Sequence, residues 1–240
     1  KCALATNNTG CRNTAVGFES GKATTTGVEN TFIGRKAGLV NTEGENNTVV
    51  GSFAFTANTT GSSNTAVGKS ALTANTTGYQ NTAVGQNSLD VNETGLQNTA
   101  VGSNSLGANT TGCGSVAVGY NALVAHTTGG CNTAVGCNAG GTMTTATNNV
   151  AMGRASMGNT TTGSENTALG ALSLQTNSEG SQNTAAGCGA LKANTTANHN
   201  TGLGWNALTA GTTGAENTAV GSNALKSNNT GNRNTTVGYV

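Results

Sequence analysis

The sequence predicts an all-β fold, a β-solenoid (parallel β-roll) of fourteen 17-residue coils with two short strands per coil. Three observations lead there. The phrase Asn64-Thr65-Ala66-Val67-Gly68 returns at residues 81–85 and 98–102, and its closing glycine recurs every 17 residues from Gly17 to Gly238 without insertion or deletion. A strict internal period implies a stack of equivalent units. Each unit also holds two runs of β-compatible residues separated by glycines, the spacing of two strands and two turns. Finally, glycine at two places in nearly every unit argues against helix, since each would cost about 1 kcal/mol in a helix interior.

The first element is the phrase itself. With its Asn counted as slot 1, residues 64–80 make one unit and the consensus reads N-T-A-V-G-x-x-A-L-x-A-N-T-T-G-x-x. The phrase starts at Asn13 and every 17 residues to Asn234, so residues 1–240 read as one continuous repeat domain. Slots 2 and 4 (Thr and Val) share a face in a strand, and their aliphatic character predicts that this face points inward. Slot 3 then points outward. It is Ala at Ala15, Ala66, Ala83, Ala100, Ala134 and Ala219, and an outward column of small residues lets another chain approach closely. The competing reading is that Ala merely fits a crowded bend. Phe32 and Val49 would be bulges on that face. The slot-1 Asn column predicts an amide ladder along the axis.

The second element spans slots 8–14. Leucine fills slot 9 in most units and Ala is common in slot 11, which predicts a second inward pair with slot 10 in solvent. Gly21 and Gly38 replace that leucine, and residues 140–158 carry Gly140, Gly141, Met143, Met152 and Met157 in place of consensus residues. Methionine adapts to irregular space, so looser packing is expected there.

Composition narrows function. A net charge of +1 removes the electrostatic basis for nucleic-acid or anionic-membrane binding, and no apolar run approaches a membrane span. Lys1 and Val240 fall mid-repeat, which reads as a segment of a longer chain. Catalysis finds no support, and neither a metal nor another cofactor is expected. His126 and His199 lie about four coils apart, Asp90 is the only aspartate, Glu43 and Glu45 read as a solvated turn, and the glycines make no Gly-x-x-x-x-Gly-Lys-Ser/Thr phosphate loop, since Gly68-Lys69-Ser70 has Ser63 where that loop needs glycine.

The six cysteines all fall in variable turn slots. Cys113 and Cys131 are one coil plus one residue apart, and Cys2 and Cys11 flank one partial coil; these are candidate disulfide staples of an oxidising compartment, against free turn thiols as the alternative. Cys188 has no evident partner. Sequons recur at Asn7, Asn58, Asn75, Asn92, Asn109, Asn194 and Asn228, readable as glycan sites of a secreted chain or as an unmodified Asn/Thr ladder. The Thr pairs of slots 13 and 14 raise a further reading, an ice-binding array.

The phrase Asn-Thr-Ala-Val-Gly, followed two residues later by Ala71-Leu72 or Ser88-Leu89, resembles the head repeats of YadA-like trimeric autotransporter adhesins. It is similar, too, to repeats of phage tail-fibre proteins that end in an endosialidase-type chaperone. The resemblance runs from Asn13 to Gly238. It implies a left-handed parallel β-roll, three chains side by side, and a structural or adhesive role in an extracellular, cell-surface or virion fibre that meets a receptor or glycan. A self-assembling filament subunit is the alternative.

Overall fold

A computed structural model describes residues 2–239. The chain is an all-β solenoid whose fourteen strands are all parallel, three residues each, one per 17-residue coil. It divides into two compact units, Lys1–Ser115 and Val116–Val240. The first holds β1 (Thr14–Val16), β2 (Thr31–Ile33), β3 (Thr48–Val50), β4 (Thr65–Val67), β5 (Thr82–Val84) and β6 (Thr99–Val101). The second holds β7 (Val116–Val118), β8 (Thr133–Val135), β9 (Val150–Met152), β10 (Thr167–Leu169), β11 (Thr184–Ala186), β12 (Thr201–Leu203), β13 (Thr218–Val220) and β14 (Thr235–Val237). Within each unit consecutive strands pair in unshifted register, as in Ala66 opposite Ala83 and Val67 opposite Val84. The period of the sequence is thus the register of the sheet.

Only the first predicted strand is a strand. Slots 6–12 form two turns instead, closed where Ser88 N–H donates to Gly85 O and Asn92 N–H to Leu89 O. The cause is left-handed backbone at slots 7 and 9, for example Asn87 (φ 54°) and Leu89 (φ 49°). Two such residues flank slot 8 and break the period-2 alternation of a strand, so neighbours 8 and 9 both turn inward: Ala71, Leu72, Ser88 and Leu89 are all buried. Slot 11 is correspondingly not core; Val91 is exposed there. Asn is frequent in slot 7, where it tolerates the left-handed region that costs most residues about 1–2 kcal/mol. The segment still bonds coil to coil, as when Leu72 N–H donates to Ser88 O.

The strand faces the opposite way from the expectation. Ala66, Ala83, Ala100, Ala134 and Ala219 are fully buried, while the Thr and Val on either side of each are half-buried, and Val16 in the first full coil is 58% exposed. Ala15, in the first full coil, is half-buried. The proposed inter-chain column of alanines is therefore the interior of the coil. Volume decides this: a coil this small has room for one large side chain, the slot-9 leucine, and slot 3 must be small to receive it.

The exceptions establish the rule. Phe32 occupies slot 3 and is fully buried, and the two coils flanking its ring are those with glycine in slot 9. A Cβ on Gly21 would lie 2.8 Å from Phe32 Cδ2, and one on Gly38 would overlap Cδ1 and Cε1. Phe32 supplies from one wall what two leucines supply from the other. Gly140 is the same case with different fillers, Leu123 Cδ2 at 2.8 Å and Met143 Sδ at 3.2 Å from a Cβ placed there. Met143 and Met157 are buried, so these two fill the interior that consensus residues leave, whereas Met152 in slot 4 is exposed.

The turn glycine of slot 5 is required on two grounds. Gly85 has φ 137°, and a Cβ would sit 2.5 Å from Gly102 O of the next coil. Gly85→Ala should lower unfolding stability by about 3 kcal/mol, measured by chemical denaturation. Gly38→Leu and Phe32→Ala should each destabilise the first unit, Phe32→Ala by about 3–5 kcal/mol. The double variant should recover much of the loss, because Gly38 (φ 59°) already has a backbone close to that of Leu72 (φ 51°).

Candidate functional site

Buried amides form a column in slot 1 of each unit, and a second column in slot 12 runs from Asn41 to Asn109 in the first. In slot 1, Asn64 N–H and Nδ2 both donate to Asn47 Oδ1, at 3.0 and 3.2 Å, and Nδ2 also donates to Gly78 O at 2.9 Å. In slot 12, Asn75 Nδ2 donates to Asn58 Oδ1 at 2.9 Å and to the same Gly78 O at 3.0 Å. One carbonyl thus accepts from both columns. A third set of bonds lies at slot 13, where Thr42 Oγ1 donates to Thr59 O and Thr59 Oγ1 to Thr76 O. Every buried amide needs a partner, and the repeat supplies the same residue one coil away.

This arrangement settles several sequence readings. The sequon asparagines Asn58, Asn75, Asn92, Asn109 and Asn194 are fully buried, and their Nδ2 atoms are committed to the ladder. A glycan has neither a free nitrogen nor space at these five. Asn7 is exposed and Asn228 half-buried, each with Nδ2 bonded to the carbonyl three residues on. The slot-13 threonines are equally occupied, so the expected ice-binding array of slots 13 and 14 loses one of its two hydroxyl columns to the ladder.

All six cysteines are free thiols: Cys2, Cys11, Cys131, Cys137 and Cys188 are exposed and Cys113 half-buried. The staples expected for Cys2 with Cys11 and for Cys113 with Cys131 are absent. Surface charges stack in slot 17, where Arg12 Nη1 meets Glu29 Oε1 at 2.9 Å and Arg233 Nε meets Glu216 Oε2 at 2.9 Å. The Arg233 hydrogen bond and charge hold the Glu216 carboxyl below its ordinary range. Glu19 is nearly buried beside Lys22, 3.2 Å away, at an open depression of about 380 Å³ lined also by Thr6, Lys36 and Leu39. Among the described residues no three His, Cys, Asp or Glu side chains converge on a metal-sized site, and no helix is long and apolar enough to cross a membrane.

The ladder of slot 12 has gaps, and buried atoms without partners mark them. Thr24, His126, Met143 and Thr160 stand where Asn is the rule. Thr24 Oγ1, His126 Nδ1 and Thr160 Oγ1 are buried without a hydrogen-bond partner, as is Asn109 Oδ1. His126 Nε2 lies 2.8 Å from Gly129 O, an arrangement that places the proton on Nε2. Burial pushes its pKa below the ordinary value, opposed by the bond to Gly129.

What the outward face offers is uncharged. Slots 2 and 4 carry no Asp, Glu, Lys or Arg in any of the fourteen coils. Among the described residues, no slot-2 Thr hydroxyl bonds to another protein group, in contrast to the tied hydroxyls of slot 13. The sequence reading missed this surface. A signal for it was present: phenylalanine in slot 3 coincides with glycine in slot 9, a reciprocity of volume expected only if both slots face one interior. No protein-family model, curated protein or solved structure matches the chain significantly.

Asn75→Ala leaves Asn92 Nδ2 short of one acceptor and Asn58 Oδ1 without its donor, and should cost about 3 kcal/mol, read as a shift in denaturation midpoint. His126 should make the second unit acid-sensitive. Its folded pKa is depressed, so its contribution is present above the unfolded value of about 6.5 and is lost as pH falls below it. A melting-temperature series from neutral to mildly acidic pH should show the decline, and His126→Asn should remove that part of it.

Proposed function

We propose that the chain is a non-catalytic structural segment of an extracellular or virion fibre. It acts as a spacer, associates with copies of itself, and carries an adhesive surface for a receptor or glycan. The observation that carries this reading is the pair of axial amide columns of the first unit, Asn30 to Asn98 in slot 1 and Asn41 to Asn109 in slot 12. Each added coil extends the stack by about 4.8 Å and satisfies its own buried polar groups against the coil before it. Length grows without a change in chemistry, which is what a spacer needs.

The low charge and the absence of a convergent polar site among the described residues are consistent with a role in which the surface, and not a pocket, meets the partner. The resemblance to trimeric adhesin heads supports three chains side by side. Sedimentation equilibrium over a wide concentration range tests the reading: a discrete trimer is the expected result. Open-ended growth with concentration would favour a filament subunit instead, and a monomer throughout would contradict self-association.

A further inference from the structure

The uncharged sheet face of the first unit has no assigned partner. It consists of two parallel columns, Thr14, Thr31, Thr48, Thr65, Thr82 and Thr99 in slot 2, and Val16, Ile33, Val50, Val67, Val84 and Val101 in slot 4. Strand pairing holds each column in unshifted register through all six coils. Neighbouring coils are about 4.8 Å apart, and slots 2 and 4 are about 6.6 Å apart along the strand. The face is therefore a regular grid of hydroxyls beside methyl groups.

We propose that this face orders water and adsorbs to ice. Three properties select that occupant. First, the slot-2 hydroxyls have no bond within the protein and face solvent, so each can donate to and accept from lattice water. Second, every residue of the grid is β-branched and stiff at χ1, and buried Ala and Leu back the strands; the hydroxyls hold their places before water arrives. Third, no charge interrupts the grid. A charged group orients its own hydration shell and would break the pattern of a water lattice. Arg35 and Lys69 stand in slot 6 and the Arg12–Glu29 pair in slot 17, all flanking the columns and none within them.

Size argues against a protein as the occupant of this face alone. Six coils of three-residue strands present about 290 Å², whereas a stable protein interface needs about 800 Å² from each partner. A crystal lattice differs because it repeats with the grid. Each hydroxyl contributes a weak bond, and the bonds form together or not at all.

The second unit is a built-in comparison. There the slot-2 column is broken by Val116 and Val150, and slot 4 carries Met152, Leu169, Ala186 and Leu203 among its valines. The grid loses hydroxyls at two coils and gains longer, flexible side chains at others. The inference accordingly assigns adsorption to the first unit.

The test uses the full chain. Thermal hysteresis, the shape of ice crystals grown in the protein solution, and partition of the protein into slowly growing ice are measured for the parent and two variants. One carries Thr65→Lys with Thr82→Lys, and the other carries Thr184→Lys with Thr201→Lys. Far-UV circular dichroism and melting confirm that both fold; if lysine disturbs the first unit, Thr65→Tyr with Thr82→Tyr adds bulk without charge. The parent should separate freezing from melting, facet ice and enter it. The first-unit variant should lose all three effects, and the second-unit variant should keep them. A parent that is excluded from ice and shows no hysteresis overturns the proposal. So does a folded first-unit variant that retains activity, or a second-unit variant that loses it equally.

Discussion

The buried asparagines of this protein are placed by one constraint, the hydrogen bond from one residue to the side-chain amide oxygen of its counterpart one coil away. Asn81 N–H donates to Asn64 Oδ1 and Asn98 N–H to Asn81 Oδ1, each at 3.0 Å. Amides removed from water without partners would cost roughly 1–3 kcal/mol each. The interior tolerates a column of them because an Oδ1 within the column finds a donor at one fixed offset, and Asn109 Oδ1, beside the His126 gap, is left without one. That offset is 17 residues, and a coil of any other length would misalign both Asn columns and the slot-13 carbonyl that receives the N–H groups of Glu93, Thr94 and Gly95 in its neighbour. The absence of insertions across fourteen units follows from this and needs no appeal to the strands, which are only three residues long.

The second constraint is width. A coil that already holds two adjoining amide columns leaves room for one bulky group, and the chain allocates it by complementarity between slots 3 and 9. Ala opposite Leu is the usual solution, Phe32 opposite Gly21 and Gly38 is another, and Met143 with Leu123 around Gly140 is a third. Local backbone strain is accepted to meet it. Leu72, Leu89 and Leu106 adopt φ near 50°, a region that favours glycine and asparagine, because only that turn brings leucine back across the coil.

The sequence made some of this legible. Period, parallel register, the slot-1 amide column and the inward leucine of slot 9 all follow from residues that repeat without interruption. The facing of the strand did not follow. A three-residue strand has only two phases, and a reading by hydrophobicity puts Thr and Val inside because Val outranks Ala. Interior volume reverses the order, and a one-residue error in phase exchanges the two faces completely. The second predicted strand failed because left-handed residues of ordinary type, such as Leu89 and Leu106 in slot 9, leave no compositional trace. Of the two sequon readings the ladder holds at Asn58, Asn75, Asn92, Asn109 and Asn194 for a related reason: Asn-x-Thr at slots 12 to 14 is the spelling of a buried amide followed by a threonine column. With the faces exchanged, the strands turn Thr and Val outward, and the alanines first read as a contact surface are the packing beneath them.

The register claim has a direct measurement. Residues 64–80 form one whole coil, and deleting them should leave the amide columns, the β spectrum and a cooperative melt in place. Deleting residues 64–79 instead leaves one residue too many at the join. The columns on the two sides then no longer meet, and the melting temperature of the first unit should fall sharply. Equal melting temperatures for the two deletions would contradict the account, since they would show that the amide columns do not hold the coils in register.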